Sequence, residues 1–256
     1  MRRDVYLLQE LVRRDFEARY AGSLLGFLWS FVAPLWQLLL LSFVFSTVMR
    51  IPLTGQRTSS FAVFLFCGLL PWTALQEGVL RGSTAITDNA SLVKKLRFPS
   101  QLLVLAVVLA ALIHEAIAAL LFAGLLALKG ELALASLPLL LIAIPLQVSL
   151  TVGLGLVLSA THVFFRDTAQ VLGMAFAGWF YVTPIVYPLE LVPERFRVWV
   201  EHNPLTALVA LYRRAFLGPN QQPIPGLGAL VLAALVALAV GSWLFGRLKP
   251  AFVDEI

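Results

Sequence analysis

The chain has 256 residues, of which 60% are hydrophobic and only 13% charged, and its formal net charge is +5. Because a soluble domain carries roughly 25% charged residues, this composition excludes an ordinary soluble globular protein. In such an apolar chain a basic balance is typical of cytoplasmic loops, so nucleic acid is not expected as a partner.

The charges are also segregated along the chain. The five longest stretches without Asp, Glu, Lys or Arg are 20–49, 58–76, 132–165, 168–189 and 215–246. About 20 apolar residues cross a hydrocarbon core of roughly 30 Å as a helix, whereas the strands of a membrane barrel alternate polar and apolar residues over about 10 positions. The pattern therefore predicts an all-α integral membrane protein.

The first segment, residues 1–20, predicts an amphipathic helix that lies in the membrane interface. Its apolar face consists of Val5, Leu8, Leu11, Val12 and Phe16, and its opposite face of Glu10, Arg13, Arg14 and Glu17. Six membrane spans follow, at about 24–49, 61–80, 101–128, 137–160, 168–187 and 227–245. We expect the whole chain, 1–256, to form a single transmembrane domain.

Residues 190–217 lie between the last two spans and differ from both. They contain seven charged residues among large apolar ones, and Pro193 and the pair Asn203-Pro204 are typical of helix starts. The segment predicts two short amphipathic helices. Six crossings place both termini on one side, which carries twelve of the 19 lysines and arginines, so the positive-inside bias predicts that both termini are cytoplasmic.

Motifs for chemistry are missing from the sequence. It contains no GxxxxGK[ST] phosphate loop, no HExxH and no GxSxG, its three histidines lie in separate segments, and Cys67 is its only cysteine. We therefore expect no metal, no cofactor and no ATP bound to this chain, and no enzyme activity of its own.

One ionisable pair, His114-Glu115, lies in the middle of the third span. At that depth ionisable residues are candidates for function. A proton relay and a buried hydrogen bond between helices both remain open.

The stretch 89–99 alternates basic and apolar residues, with Leu92, Lys94, Lys95, Leu96 and Arg97 at its centre. A loop that only determines topology needs the charges alone. The apolar residues indicate that this segment contacts lipid headgroups or a cytoplasmic partner.

These parts together resemble a known family, the permease subunits of type-2 ATP-binding-cassette exporters, in the branch that exports O-antigen, teichoic acid and capsular polysaccharide. The resemblance covers essentially the whole chain. It rests on Arg19-Tyr20, Leu25 to Trp29, Gly68-Leu69-Leu70-Pro71-Trp72, Asn89 to Pro99, Phe165-Arg166-Asp167, Thr183 to Pro188 and Asn203-Pro204-Leu205, in this order.

The resemblance implies a set of partners and roles. Two permeases pair around a channel, and two separate ATPase subunits, which hold the ATP and Mg, bind their cytoplasmic face. Residues 89–99 then form the coupling loop, and residues 190–217 form re-entrant gate helices at the outer face. The candidate functional residues of the interface helix are Arg13, Arg14, Phe16 and Arg19. The cargo is a lipid-linked glycan, which crosses the cytoplasmic membrane.

Aromatic side chains are candidates for the lining of such a channel, because their faces offer a large amphipathic contact area to sugars. Trp29 and Trp36 are seven residues apart and share a face of the first span. Phe176 and Phe180 share a face of the fifth span, and Trp179 and Tyr181 are beside them. Packing, or a belt at the membrane interface, is the alternative.

Three other functions stay open from the residues alone. An ion-coupled secondary transporter would use His114-Glu115, although the sequence shows no internal repeat of the kind found in many such folds. An ABC permease for a drug or a small lipid would share the same parts. An intramembrane enzyme is opposed by the missing motifs.

Overall fold

The computed structural model describes residues 2–20, 29–53, 56–95, 99–219 and 224–256. These ranges contain helices and connecting segments and no β-strand. The helices are α1 (Arg2–Tyr20), α2 (Trp29–Ser42, continued by a π-helical turn Phe43–Val48), α3 (Phe61–Thr84), α4 (Ala90–Lys95), α5 (Gln101–Leu128), α6 (Leu140–Phe164), α7 (Thr168–Val182), α8 (Glu194–Glu201), α9 (Pro204–Leu217), α10 (Leu227–Leu248) and α11 (Phe252–Glu255).

Four helical segments of the described ranges are long and apolar enough to cross a bilayer. They are Phe61–Thr84, Gln101–Leu128, Leu134–Phe164 and Leu227–Glu255, and they coincide with the predicted second, third, fourth and sixth spans. In the first span only Leu35–Val48 is a shorter apolar helix, and the predicted start of that span falls in 21–28, outside the described residues. The predicted fifth span coincides with α7.

Helix α7 has 15 residues, which at 1.5 Å per residue extend about 22 Å. This is shorter than a hydrocarbon core of roughly 30 Å. The chain continues from α7 into extended backbone at Thr183. The helices of the described ranges confirm the all-α membrane architecture. Because α7 is short, the number of six spans stays a prediction.

Helix α3 lies at the centre of the bundle and packs against α5, α6, α7 and α9. Its side chains Phe64, Leu65, Leu75 and Val79 are fully buried and belong to the larger of two apolar clusters. The smaller cluster lies where α3 ends, α5 begins and α10 ends, and it includes Phe245 and Phe252.

The tightest contact between two spans is that of α6 with α10. A Cβ atom added at Gly153 would lie 2.3 Å from the backbone carbon of Ala237, and one added at Gly241 would lie 2.4 Å from the Gly153 carbonyl oxygen. Real Cβ atoms do not approach other atoms so closely. The two backbones touch because glycine occupies both positions, as small residues allow in membrane helices.

The two short helices predicted within 190–217 are confirmed as α8 and α9. Helix α9 begins at Pro204, and the Asn203 side chain accepts a hydrogen bond from the Leu205 amide at 3.1 Å, as the Asn-Pro pair predicts. No residue of α9 is exposed, and the five residues from Leu205 to Val209 are all buried. Helix α9 therefore packs into the bundle, against α3, α6 and α10.

Candidate functional site

The amphipathic helix α1 is tied to the bundle by three consecutive residues. The Arg14 guanidinium donates a hydrogen bond to the Asn89 side chain, and the Asp15 carboxylate forms an ion pair with Arg81 of α3. The Phe16 ring stacks on the His114 ring of α5, with centroids 4.8 Å apart. Helix α1 is therefore in direct contact with α3, with α5 and with the turn that leads into α4.

The other predicted residues of this helix contribute less to that docking. Arg13 is exposed and donates to the Glu17 carboxylate at 2.9 Å, and this hydrogen bond raises the pKa of Arg13. Arg19 lies within α1, but its side chain is outside the described residues. Arg81 also contacts Glu77, four residues earlier on α3, at 3.4 Å.

The predicted coupling loop contains the short helix α4, Ala90–Lys95. Leu92 is half-buried, Lys94 is exposed, and Val93 packs against the smaller apolar cluster. Lys95 ends the helix, with its side chain outside the described residues, as are Leu96 and Arg97. The described part of this loop therefore combines an apolar anchor on the bundle with an exposed cation.

The six aromatic channel candidates fall into two groups. Trp29, Trp36 and Tyr181 are 50%, 66% and 62% exposed on the surface of this chain. Phe176 and Phe180 are buried, and Trp179 is half-buried. The structure therefore leaves only the first three free to contact a partner, a lipid or a cargo.

The buried members hold α7 against its neighbours. The centroid of the Trp72 ring of α3 lies 5.7 Å from the Phe176 ring centroid and 5.5 Å from the Phe180 ring centroid, and both pairs meet edge to face. Trp179 donates from its indole nitrogen to the Asn203 side chain at 3.0 Å. Asn203 in turn donates to the Thr183 hydroxyl at 3.0 Å, so the start of α9 is connected to the end of α7.

A buried polar cluster joins three helices. Gln147 of α6 donates from its side-chain nitrogen to the Glu115 carboxylate of α5 at 2.6 Å, and accepts from the Tyr212 hydroxyl of α9 at 2.6 Å. The second Glu115 oxygen has no hydrogen-bond partner among the described residues. This confirms the hydrogen bond between helices as one role of Glu115.

The neighbouring His114 points to a different face of α5. It lies half-buried beside α1, and its Nδ1 is 3.2 Å from the Ala110 carbonyl oxygen. Gln147 and Tyr212 were not among the residues predicted from the sequence. Gln147 could have been recognised as a single side-chain amide within a long apolar stretch. In lipid such an amide requires a hydrogen-bond partner.

Long apolar helices with an amphipathic helix docked on them define an integral membrane protein. The family model described as "ABC-2 type transporter" matches residues 6–217, and the chain belongs to this family. The resemblance seen in the sequence is thereby confirmed.

Individual relatives match over almost the full length. The chain is 32% identical over 252 residues to the O-antigen export system permease protein RfbA of Myxococcus xanthus, which covers 98% of this chain and 95% of that protein. It is 28% identical over 252 residues to the protein of the same name from Klebsiella pneumoniae, covering 97% of this chain and 94% of that protein. It is 26% identical over 250 residues to the polysialic acid transport protein KpsM of Escherichia coli, covering 97% and 95%.

Proposed function

We propose that this chain is the transmembrane subunit of an exporter that moves a lipid-linked polysaccharide across the cytoplasmic membrane. The observation that carries the proposal is the similarity over nearly the full length to relatives named for O-antigen export and polysialic acid transport. Because the sequence lacks a phosphate-loop motif, ATP and Mg belong to a separate ATPase chain. Two ATPase copies and a second copy of this chain complete the exporter.

The topology that fits this function has six spans, with both termini cytoplasmic and α8 and α9 re-entrant at the outer face. The limited length of α7 supports a turn-back of the chain within the membrane at this point. The burial of α9 against α3 and α6 supports a gate that moves with the spans. The Trp179–Asn203 hydrogen bond is the link through which α7 would move it.

The experiment that tests the function is export in a reconstituted system. The chain is co-expressed with candidate ATPase subunits, purified as a complex and placed in vesicles that contain a fluorescent lipid-linked polysaccharide. We expect ATP-dependent transfer of the glycan across the bilayer. Transfer of the glycan driven by an ion gradient without any ATPase would instead identify an ion-coupled secondary transporter. Transfer of only small lipids or drugs would identify an ABC permease for such compounds.

We expect Lys94→Glu to weaken the coupling between ATP hydrolysis and export. Lys94 is exposed beside the anchored Val93, so reversal of its charge acts on a partner surface and not on folding. Export per ATP hydrolysed should fall about fivefold, as expected when a charged contact of about 1 kcal/mol is lost at an interface. The same measurement applies to Leu96→Asp, although Leu96 lies outside the described residues.

The control for this prediction is Lys129→Glu. Lys129 follows α5 at the other end of that helix and is also exposed. If both reversals lower the coupling ratio equally, or if Lys94→Glu exports normally, the segment 89–99 determines topology only.

We expect Trp36→Ala and Phe180→Ala to have different effects. Trp36 is exposed, so its loss should leave the amount of folded protein unchanged while glycan export falls severalfold. Phe180 packs against Trp72, and truncation of a buried Phe costs about 3–5 kcal/mol, so its export should fall in proportion to folded protein. Normal export by Trp36→Ala, measured per folded molecule, would contradict a cargo contact at this face.

A further inference from the structure

A small polar cavity lies among the segment before α3, the segment between α7 and α8, and the helix α9. Its volume is about 70 Å³, and its polar lining consists of Gln56, Arg57, Glu190, Thr206, Arg213 and Arg214. One water needs about 10–15 Å³ on this measure. The cavity therefore has room for several waters or for one small oxyanion.

Positive charge exceeds negative charge in this lining. Three guanidinium groups face a single carboxylate, that of Glu190, whose oxygens are 3.3 and 3.4 Å from the Gln56 amide nitrogen. Arg57 donates to the Pro219 carbonyl at 2.8 Å. None of the ion pairs among the described residues involves these three arginines. A cavity with two uncompensated positive charges favours an anion.

Arg213 is held rigidly in this lining. Its Nη1 donates to the Pro184 carbonyl and its Nη2 to the Ile185 carbonyl, both at 2.8 Å. Its Cζ lies 3.6 Å from the centre of the buried Phe64 ring. Its Nε also donates to the Phe64 carbonyl at 3.4 Å, so two of its five N–H groups form no hydrogen bond with a described residue.

Two donors of α9 that line this cavity have no partner in the described part of the chain. Thr206 is 2% exposed, and its Oγ1 has no hydrogen-bond partner there. Arg214 lies two helical turns further on and lines the same cavity, and its side chain forms no hydrogen bond or ion pair with another described residue. Ala210 lies between them and leaves the space open. A buried hydroxyl without a partner is uncommon and indicates a ligand or water.

From this arrangement we infer that the cavity is a binding site for an oxyanion of the phosphate class. Arg214 and Thr206 donate to its oxygens, and Arg213 supplies the fixed charge beside them. Guanidinium groups suit such oxygens because they donate in pairs. Glu190 opposes the anion from an exposed position, where solvent weakens its charge.

The test is the thermal unfolding midpoint of the full chain in neutral detergent, titrated with sodium phosphate against sodium chloride of equal ionic strength. We expect phosphate to raise the midpoint with saturation. Arg214→Gln should weaken the apparent affinity at least about tenfold, and Thr206→Val, which keeps charge and volume, about fivefold. Arg195→Gln is the control, because Arg195 lies over the Phe196 ring on α8, outside the cavity lining, and should bind as the wild type does.

Phosphate also stabilises proteins by exclusion from their surface, but that effect is shared by every variant. Nanodiscs of phosphatidylglycerol and of phosphatidylcholine separate the two sources of the anion. A difference between wild type and Thr206→Val with free phosphate assigns the site to a soluble phosphate group. A difference that appears in nanodiscs but not with free phosphate assigns it to a lipid headgroup, and to an anionic one if it appears only in phosphatidylglycerol. If wild type, Thr206→Val and Arg214→Gln respond alike in both systems, the site does not exist.

Discussion

Replacement of Gly153 by alanine is expected to lower the amount of folded protein sharply, although the change adds a single methyl group. That methyl would lie 2.3 Å from the Ala237 backbone carbon of α10. A side chain can rotate away from such a clash, whereas a backbone carbon can yield only if the whole helix moves. Insertion of atoms into a packed interior costs about 1–3 kcal/mol, and we expect the upper end of that range.

The partner position provides a second variant and a matched control. Gly241→Ala should have a similar effect, because its added Cβ would lie 2.4 Å from the Gly153 carbonyl oxygen. Gly246→Ala is on the same helix, but no atom lies within 4 Å of its added Cβ, so this variant should be as stable as the wild type. Thermal unfolding in detergent, followed by size-exclusion chromatography, measures all three. Equal midpoints for Gly153→Ala and Gly246→Ala would show that α6 and α10 do not touch.

Gln147→Leu is the second change with a large expected effect. It roughly preserves the shape of the side chain but removes the amide that bonds both other members of the buried cluster. The Glu115 carboxylate and the Tyr212 hydroxyl therefore lose their hydrogen bonds to residue 147. Each buried polar group without a partner costs about 1–3 kcal/mol. Hydrogen bonds between membrane helices average only about 0.6 kcal/mol, because the separated helices find other partners. Since two groups are orphaned here, we expect a loss of about 2 kcal/mol.

Two further variants separate lost hydrogen bonds from altered packing. Glu115→Gln keeps an acceptor for the Gln147 nitrogen and should have nearly the stability of the wild type. The triple change Glu115→Leu, Gln147→Leu and Tyr212→Phe removes every polar group of the cluster at once and should recover most of the loss, since replacement of all partners by apolar groups is nearly neutral. A triple variant less stable than Gln147→Leu alone would contradict this account.

Features that depend on near neighbours could be predicted from the sequence. Charge-free stretches of sufficient length predicted the membrane helices α3, α6 and α10, and the long apolar run 101–128, which contains Glu115 as its one charged residue, predicted α5. In lipid only a helix satisfies such a backbone by itself. The Asn203-Pro204 pair predicted the start of α9, since an N-cap acts over two or three residues. The amphipathic pattern of residues 1–20 predicted α1.

The tertiary structure alone decided which faces of these helices meet. Phe180 and Tyr181 are adjacent, yet the former packs on Trp72 and the latter is exposed, and Gln147 finds Tyr212 across 65 residues of chain. A soluble helix reveals its inner face by an apolar stripe, but α5 and α6 are apolar on every side because lipid is as apolar as the core. The rotation of each span about its axis is therefore set by close packing, by a few glycines and by the partners of rare polar groups. These are contacts between segments far apart in sequence, and no local pattern records them.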